Sequence, residues 1–206
     1  MLLSTLMQGT EVTEWIGEDL EITRISTRSG EDNGGAVFVC LVGGSFDAHD
    51  CTDEAVSHGA VAVVTERKLK TPVTQLIVKD TRSTLSVMAA NYFEHPAKEM
   101  KTVAVVGTNG KTTTAHMIRA ELEYAGIPAC LIGTNGFSYG NVHKEFGMTT
   151  PDPVEWQSML REARSAGCLA AVTEVSAHAI RYKKTWGTVV DVAVFTNFSQ
   201  DHLDFF

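Results

Sequence analysis

The sequence predicts an α/β protein in two units: a small N-terminal α/β unit, then a P-loop unit on a mainly parallel sheet. Three observations predict it. Short apolar runs alternate with segments of helical periodicity, the pattern of strands whose faces are covered by helices. A polar stretch at 97–101 separates two such series, which places the units at 1–98 and 99–206. The second series opens with an apolar run, a glycine turn, Lys-Thr and a helical pattern, in that order.

In the first unit, the run 37–42 reads as a buried strand and 53–58 as a short helix closed by Gly59. The runs 61–64 and 76–78 read as further strands. Leu85, Met88, Ala89, Tyr92 and Phe93 recur at helical spacing. Glu94, His95 and Pro96 stop that helix, because proline disfavours helical geometry in the residue before it.

In the second unit, 102–106 is the first strand. A helix follows with Ala115, Ile118, Leu122 and Ala125 on one face, and Gly126 stands at its C′ position. The run 129–132 is the second strand. Asp152 is read as the cap of the next helix, with Pro153 at its first position and Gly167 at its end. The runs 169–175 and 191–196 supply the third and fourth strands.

Bulk properties exclude several classes. A length of 206 residues, 44% hydrophobic and 20% charged, fits one or two globular domains with a real core. A net charge of −8 argues against nucleic acid or an anionic membrane as the main partner. No apolar run approaches the ~20 residues of a membrane span, and the N-terminus lacks a signal pattern, so a cytoplasmic location is expected. Cys40, Cys51, Cys130 and Cys168 form no C-x-x-C pair and read as free thiols in a reducing compartment.

The glycine turn carries the chemistry. Gly107, Thr108, Asn109, Gly110, Lys111, Thr112 and Thr113 form a short G-x-x-G-K-T loop; Val105 occupies the place where the general P-loop pattern has one more glycine. Such a turn points backbone N–H groups at an anion, and the helix N-terminus adds partial positive charge. Lys111 can reach outer phosphates and the Thr112 hydroxyl can hold Mg²⁺, so a nucleoside triphosphate is the expected ligand. Gly133, Thr134, Asn135 and Gly136 repeat the tetrapeptide without a following Lys-Thr, which reads as a turn that can line the same cleft.

The ends of parallel strands gather the remaining polar residues. Glu174 ends the third strand and is the carboxylate expected to share Mg²⁺ with Thr112. His202 lies in Asp201, His202, Leu203, Asp204, where it can ligate a second metal or touch the terminal phosphate. Ser176, Thr149 and Thr150 suit orientation of a second substrate, with helix capping as their other role. His178 reads as part of a packed helix start. His49, His58, His95, His116 and His143 belong to no constellation.

These residues resemble a known family. The loop from Gly107 to Thr113 is similar to the ATP loop of the Mur ligases and the folylpolyglutamate synthetases. Thr149-Thr150-Pro151-Asp152-Pro153, Glu174-Val175-Ser176-Ala177-His178-Ala179 and the Thr196-to-Asp204 run resemble the Mur ligase type that adds the third peptide residue. The resemblance implies an ATP-dependent amide ligase of peptidoglycan synthesis, with Mg²⁺. Its substrate would be UDP-N-acetylmuramoyl-L-Ala-D-Glu, activated as an acyl phosphate and then attacked by a diamino acid, lysine or meso-diaminopimelate.

By the same resemblance, Lys111, Glu174 and His202 are catalytic. Gly107, Thr108, Asn109, Gly110, Lys111, Thr112, Thr113 and Asn197 hold ATP; Thr112, Glu174 and His202 serve metal. Ser29, Thr149, Thr150, Ser176 and Lys184 contact the muramoyl substrate, the first unit being a uridine-binding domain in which Gly43, Asp47 and His49 match a loop. Arg28 and Gly30 replace the Asp and Arg that usually flank the serine, Lys184 replaces an arginine, and Ala177 a second serine. Lysine keeps the charge but loses the bidentate fork.

The family's carbamylated lysine and its amino-acid-binding domain lie downstream of the Asp-His-Leu-Asp run. The chain is therefore expected to hold the uridine domain and part of the ATPase domain, with an incomplete sheet whose open edge invites a second copy. It is not expected to ligate alone. The other readings are a non-catalytic nucleotide or UDP-sugar module, a muramoyl ligase of the next step, and a folylpolyglutamate-type ligase.

Overall fold

The computed structural model describes residues 1–200, which fall into two compact units, one spanning Met1–Tyr92 and the other starting at Phe93. The first unit runs α1 (Leu3–Leu6), β1 (Val12–Ile16), β2 (Arg24–Ser26), β3 (Ala36–Val39), a 3₁₀ turn (Ala48–Cys51), α2 (Thr52–Ser57), β4 (Ala62–Thr65), β5 (Thr74–Val78) and α3 (Thr81–Tyr92). Its sheet has the order β1-β5-β4-β3-β2; β1 is antiparallel to β5 and the other pairs are parallel. Strands β3, β4 and β5 are buried throughout, as parallel strands with both faces covered must be. Phe38, Cys40, Ala48, Ala55, Ala60 and Val63 pack into one core cluster.

The expected strand at 37–42 ends at Val39, because the chain turns back on itself through a bridge between Val42 and Asp47. The elements α1, β1 and β2 have no strong periodicity and were not foreseen. Helix α3 stops as the proline rule requires. Glu94 and His95 take left-handed backbone angles, φ 59° and 51°, and Pro96 then opens a 3₁₀ turn (Pro96–Glu99) where a plain linker was expected.

The second unit continues with β6 (Lys101–Val106), α4 (Lys111–Tyr124), β7 (Ala129–Gly133), β8 (Gly136–Tyr139), β9 (Val142–Lys144), α5 (Pro153–Ser165), β10 (Ala170–Glu174), α6 (Ala177–Arg181) and β11 (Val192–Phe195). The sheet order is β11-β6-β10-β7-β8-β9, parallel from β11 through β7. Alternate residues of the central strands face opposite layers. Val105, Leu131 and Val172 pack under Ala115 of α4, while Cys130, Ile132 and Ala171 pack under Trp156, Leu160 and Ala163 of α5.

The second Gly-Thr-Asn-Gly is the turn of a hairpin. Gly133 pairs with Gly136, and β8 and β9 extend the sheet in antiparallel fashion. Among the described residues β11 pairs on one side only, with β6, and Val192 and Phe195 stand exposed.

Candidate nucleotide and substrate site

Parallel register fixes the site. Glu174, the last residue of β10, lies beside Val105 of β6, one residue before β6 ends and the glycine loop begins. Loop and carboxylate therefore emerge at the same carboxyl edge, where ligands of parallel sheets sit.

The loop is held open in shape by its neighbours. Gly107 has φ 141° and Gly110 φ 81°, a region that side chains rarely adopt. At Gly107 space forbids a side chain as well: a Cβ would collide with the Thr196 hydroxyl and stand 2.9 Å from the Asn197 carbonyl oxygen. Asn197 grips the Asn109 main chain from both sides, accepting from its N–H at 3.0 Å and donating to its carbonyl at 2.9 Å. Thr196 Oγ1 adds a 2.7 Å bond to the same carbonyl. Lys111 Nζ donates to the carbonyls of Gly107 (2.7 Å) and Thr108 (3.0 Å), so the ammonium sits inside its own loop. Thr113 is exposed in the first turn of α4.

Glu174 is wholly buried. Its Oε2 accepts from Thr112 Oγ1 at 2.8 Å and from Thr134 Oγ1 at 3.1 Å, and its Oε1 accepts from the Thr134 N–H at 3.1 Å. Among the described residues no Lys, Arg or His forms an ion pair with it. A buried carboxylate facing only neutral donors is costly unless a cation joins it. Among the described residues no cluster of three or more His, Cys, Asp or Glu side chains converges as a metal cage. Mg²⁺ does not require one, since it binds through one or two carboxylates, phosphates and water. Thr112 and Glu174 thus fit Mg²⁺. His202 lies outside the described residues.

The substrate candidates of this unit assemble beside the same carboxylate. Thr149 Oγ1 is 3.1 Å from Thr134 Oγ1. Thr150 Oγ1 donates to the Glu174 carbonyl at 3.0 Å and accepts from the Ser176 N–H at 3.1 Å. Ser176 caps α6, its Oγ accepting from the Ala179 N–H at 3.1 Å. Lys184 Nζ donates to the Thr150 carbonyl at 3.2 Å and pairs with Asp152 at 2.9 Å. That pair corrects one expectation. Asp152 occupies the N-cap position of α5 but its side chain caps nothing, having turned to Lys184. Pro153 removes one N–H that would otherwise need a partner.

In the first unit, Ser29 Oγ donates to Glu54 Oε2 at 2.5 Å, and Asn33 Nδ2 ties the turn by donating to the carbonyls of Arg28, Ser29 and Glu31. Arg28 pairs with Glu31. Gly43 N–H donates to the Phe46 carbonyl at 2.6 Å, closing the loop that leads to Asp47. Asp47 binds Arg67 at 2.8 Å and the His49 ring at 2.5 Å. The Arg67 hydrogen bond, then the His49 N–H, hold the Asp47 carboxyl well below the usual carboxylate range. His49 Nε2 accepts from the Glu66 N–H at 2.9 Å, which leaves the ring proton on Nδ1, facing Asp47. Spacing alone did not reveal this constellation, because Asp47, Glu66 and Arg67 meet through the strand-to-loop turn after β4. Thr134 was likewise missed as a partner of Glu174. The repeated Gly-Thr-Asn-Gly was its only signal.

A parallel sheet, a glycine loop, a Lys-Thr helix start and a buried carboxylate across from it define a P-loop α/β protein. Residues 105–206 match the Mur ligase middle domain. The chain is 42% identical over 189 residues to the UDP-N-acetylmuramoyl-L-alanyl-D-glutamate--2,6-diaminopimelate ligase of Syntrophomonas wolfei, a match covering 91% of this chain and 39% of that one. It is 36% identical over 206 residues to the enzyme of the same name from Listeria monocytogenes, covering 100% of this chain and 42% of the relative. Among solved structures, a UDP-N-acetylmuramoyl-L-alanyl-D-glutamate--2,6-diaminopimelate ligase superposes with a TM-score of 0.77 at 24% identity, over 91% of this chain and 40% of the other, a likeness of fold. The MurF ligase from Thermotoga maritima in complex with ADP superposes with a TM-score of 0.58 at 29% identity, over 88% of this chain and 39% of the other. The chain belongs to the Mur ligase family, and it spans about two fifths of the length of the curated relatives it matches. Among the described residues no helix is long and apolar enough to cross a membrane.

Proposed function

We propose that this chain carries the nucleotide site and part of the muramoyl-peptide site of an ATP-dependent peptidoglycan ligase that adds a diamino acid to UDP-N-acetylmuramoyl-L-Ala-D-Glu. The observation that carries the reading is Glu174: fully buried, bonded to Thr112 at the P-loop helix and to Thr134, without a cationic partner among the described residues. A Mg²⁺–nucleotide would supply the missing positive charge. The relatives' names supply the peptide substrate and point to 2,6-diaminopimelate as the amine donor. The ADP complex of a related ligase supports the nucleotide.

In this reading the loop N–H groups and Lys111 bind and orient the outer phosphates, and Thr112 and Glu174 hold the metal. Mg²⁺, when bound, neutralises the charge of the transferring phosphoryl group. Phosphoryl transfer depends mainly on positioning and charge stabilisation, so these residues need supply no covalent chemistry. Thr149, Thr150, Ser176 and Lys184 would keep the substrate carboxylate in line with the γ-phosphate. Phosphorylation turns that carboxylate into an acyl phosphate, an acyl donor with a good leaving group for the attacking amine. In this reading uridine recognition belongs to 1–98, around Ser29, and nucleotide binding to 99–206. Titration calorimetry tests the reading. ATP with Mg²⁺ and, separately, the UDP-muramoyl dipeptide should each bind the chain, and absence of ATP binding at millimolar concentration would reject it.

A further inference from the structure

We infer that Thr134, in the turn between β7 and β8, is a positioning residue that aims Glu174 at the metal and ties it to Thr149. The inference rests on the proposed Mg²⁺–nucleotide reading of the site.

The geometry is directional. A carboxylate can only accept, so the Thr134 hydroxyl must spend its one hydrogen on Glu174 Oε2, 3.1 Å away. Its oxygen is then free to accept, and Thr149 Oγ1, 3.1 Å away, must be the donor of that pair. The result is a one-way chain of hydroxyls, Thr149 to Thr134 to Glu174. The Thr134 N–H holds the other carboxylate oxygen at 3.1 Å. One residue thus fixes both oxygens, and the rotation of the carboxylate is locked. Thr112 takes a further lone pair of Oε2 at 2.8 Å. A carboxylate offers about four acceptor positions, so three donors leave roughly one for a cation.

Gly133 confirms how tightly the carboxylate is backed. A Cβ there would lie 2.6 Å from Glu174 Cδ and 2.8 Å from its Cγ. Gly133 pairs with Gly136 across the hairpin, which sets the Thr134 N–H toward β10. The repeated tetrapeptide therefore has a function unlike that of the first: one loop receives phosphate, the other presents the carboxylate. Because Thr149 is a substrate candidate, the hydroxyl chain links the substrate loop to the metal ligand.

The test uses Mn²⁺ as the probe, read by electron paramagnetic resonance of Mn²⁺–ATP binding, beside calorimetry of ATP in EDTA. Thr134→Val keeps the shape and the N–H but removes the hydroxyl. It should weaken Mn²⁺–ATP about tenfold, the scale of one hydrogen bond to a charged group, and change metal-free ATP binding less than about twofold. Thr134→Ser should restore Mn²⁺–ATP binding. Thr149→Ala should weaken it about threefold, and the double variant should be no weaker than Thr134→Val alone, because the two hydroxyls act in series. Wild-type Mn²⁺–ATP affinity in Thr134→Val, equal loss with and without metal, failure of the serine variant, or additive effects in the double variant would each overturn the inference. Failure of the wild-type chain to bind Mn²⁺–ATP would instead reject the nucleotide reading itself, and this inference with it.

Discussion

Thr112 and Glu174, 62 positions apart in sequence, meet through a 2.8 Å hydrogen bond at the carboxyl edge of the second unit's sheet. The bond exists because β6 and β10 run parallel in a register that sets Glu174 beside Val105. It leaves the Thr112 oxygen able to face a cation while its hydrogen steadies the carboxylate.

Replacing Glu174 with Gln should uncouple stability from metal. The amide keeps the volume and can satisfy the Thr134 N–H and both hydroxyls, and it removes the desolvation cost of a buried charge. Thermal unfolding without Mg²⁺ should stay within about 1 kcal/mol of wild type or improve. The rise in melting temperature that Mg²⁺–ATP should give the wild type is expected to vanish in the variant. A strongly destabilised Glu174→Gln protein would mean that the carboxylate has a purely structural role.

Lys111→Ala should cost ATP affinity without harming the fold. Its ammonium bonds two loop carbonyls, both near enough to the surface for water to replace it. Loss of a charge-assisted contact to phosphate is worth about 1.5–3 kcal/mol, or roughly tenfold to hundredfold in Kd by calorimetry. An unchanged Kd would remove the loop from the nucleotide site.

Gly107→Ala should destabilise the second unit. Both the left-handed angle and the collision with Thr196 act against it. A loss of about 1–3 kcal/mol in urea unfolding is expected. Gly147→Ala, at a position with open space and no left-handed angle, should change stability by less than about 0.5 kcal/mol. Equal behaviour of the two would show that the loop is not braced by the segment after β11.

Asp191 gives a pH signature. The Thr102 N–H, then Lys101, lower its carboxyl to about 2. A depressed folded-state value means that its stabilisation is complete above the unfolded value of about 3.9 and is lost as pH falls from there through about 2. Asp191→Asn should therefore lower the urea midpoint at pH 7, and the gap to wild type should narrow by pH 3. A gap that stays constant between the two pH values would contradict this.

The legible parts of this chain were those with local signals. The loop at Gly107 announces itself by residue type, and α4, α5 and the buried strands by periodicity and by Gly126, Pro153 and Gly167. Less legible were features that depend on neighbours far along the chain. Strands β8 and β9 are too short to show a period, and they exist because Gly133 and Gly136 close a hairpin. Asp152 reads as a cap, and only the approach of Lys184 turns its side chain elsewhere. His49 looked solitary because, although Asp47 is two residues away, Glu66 and Arg67, which complete the cluster, arrive from the turn after β4. Glu174 was found as a strand-end carboxylate, but its clasp by Thr134 follows from register.

One consequence follows from where the Lys111 ammonium rests. In the described chain it already has two oxygen acceptors, so a guest must offer something better than neutral carbonyls to draw it out. In the proposed nucleotide site a nucleoside or a monophosphate would give little inducement, whereas a polyphosphate tail would. In the proposed reading the loop would thereby act as a threshold device, favouring nucleotides by the charge at their far end before any base is recognised.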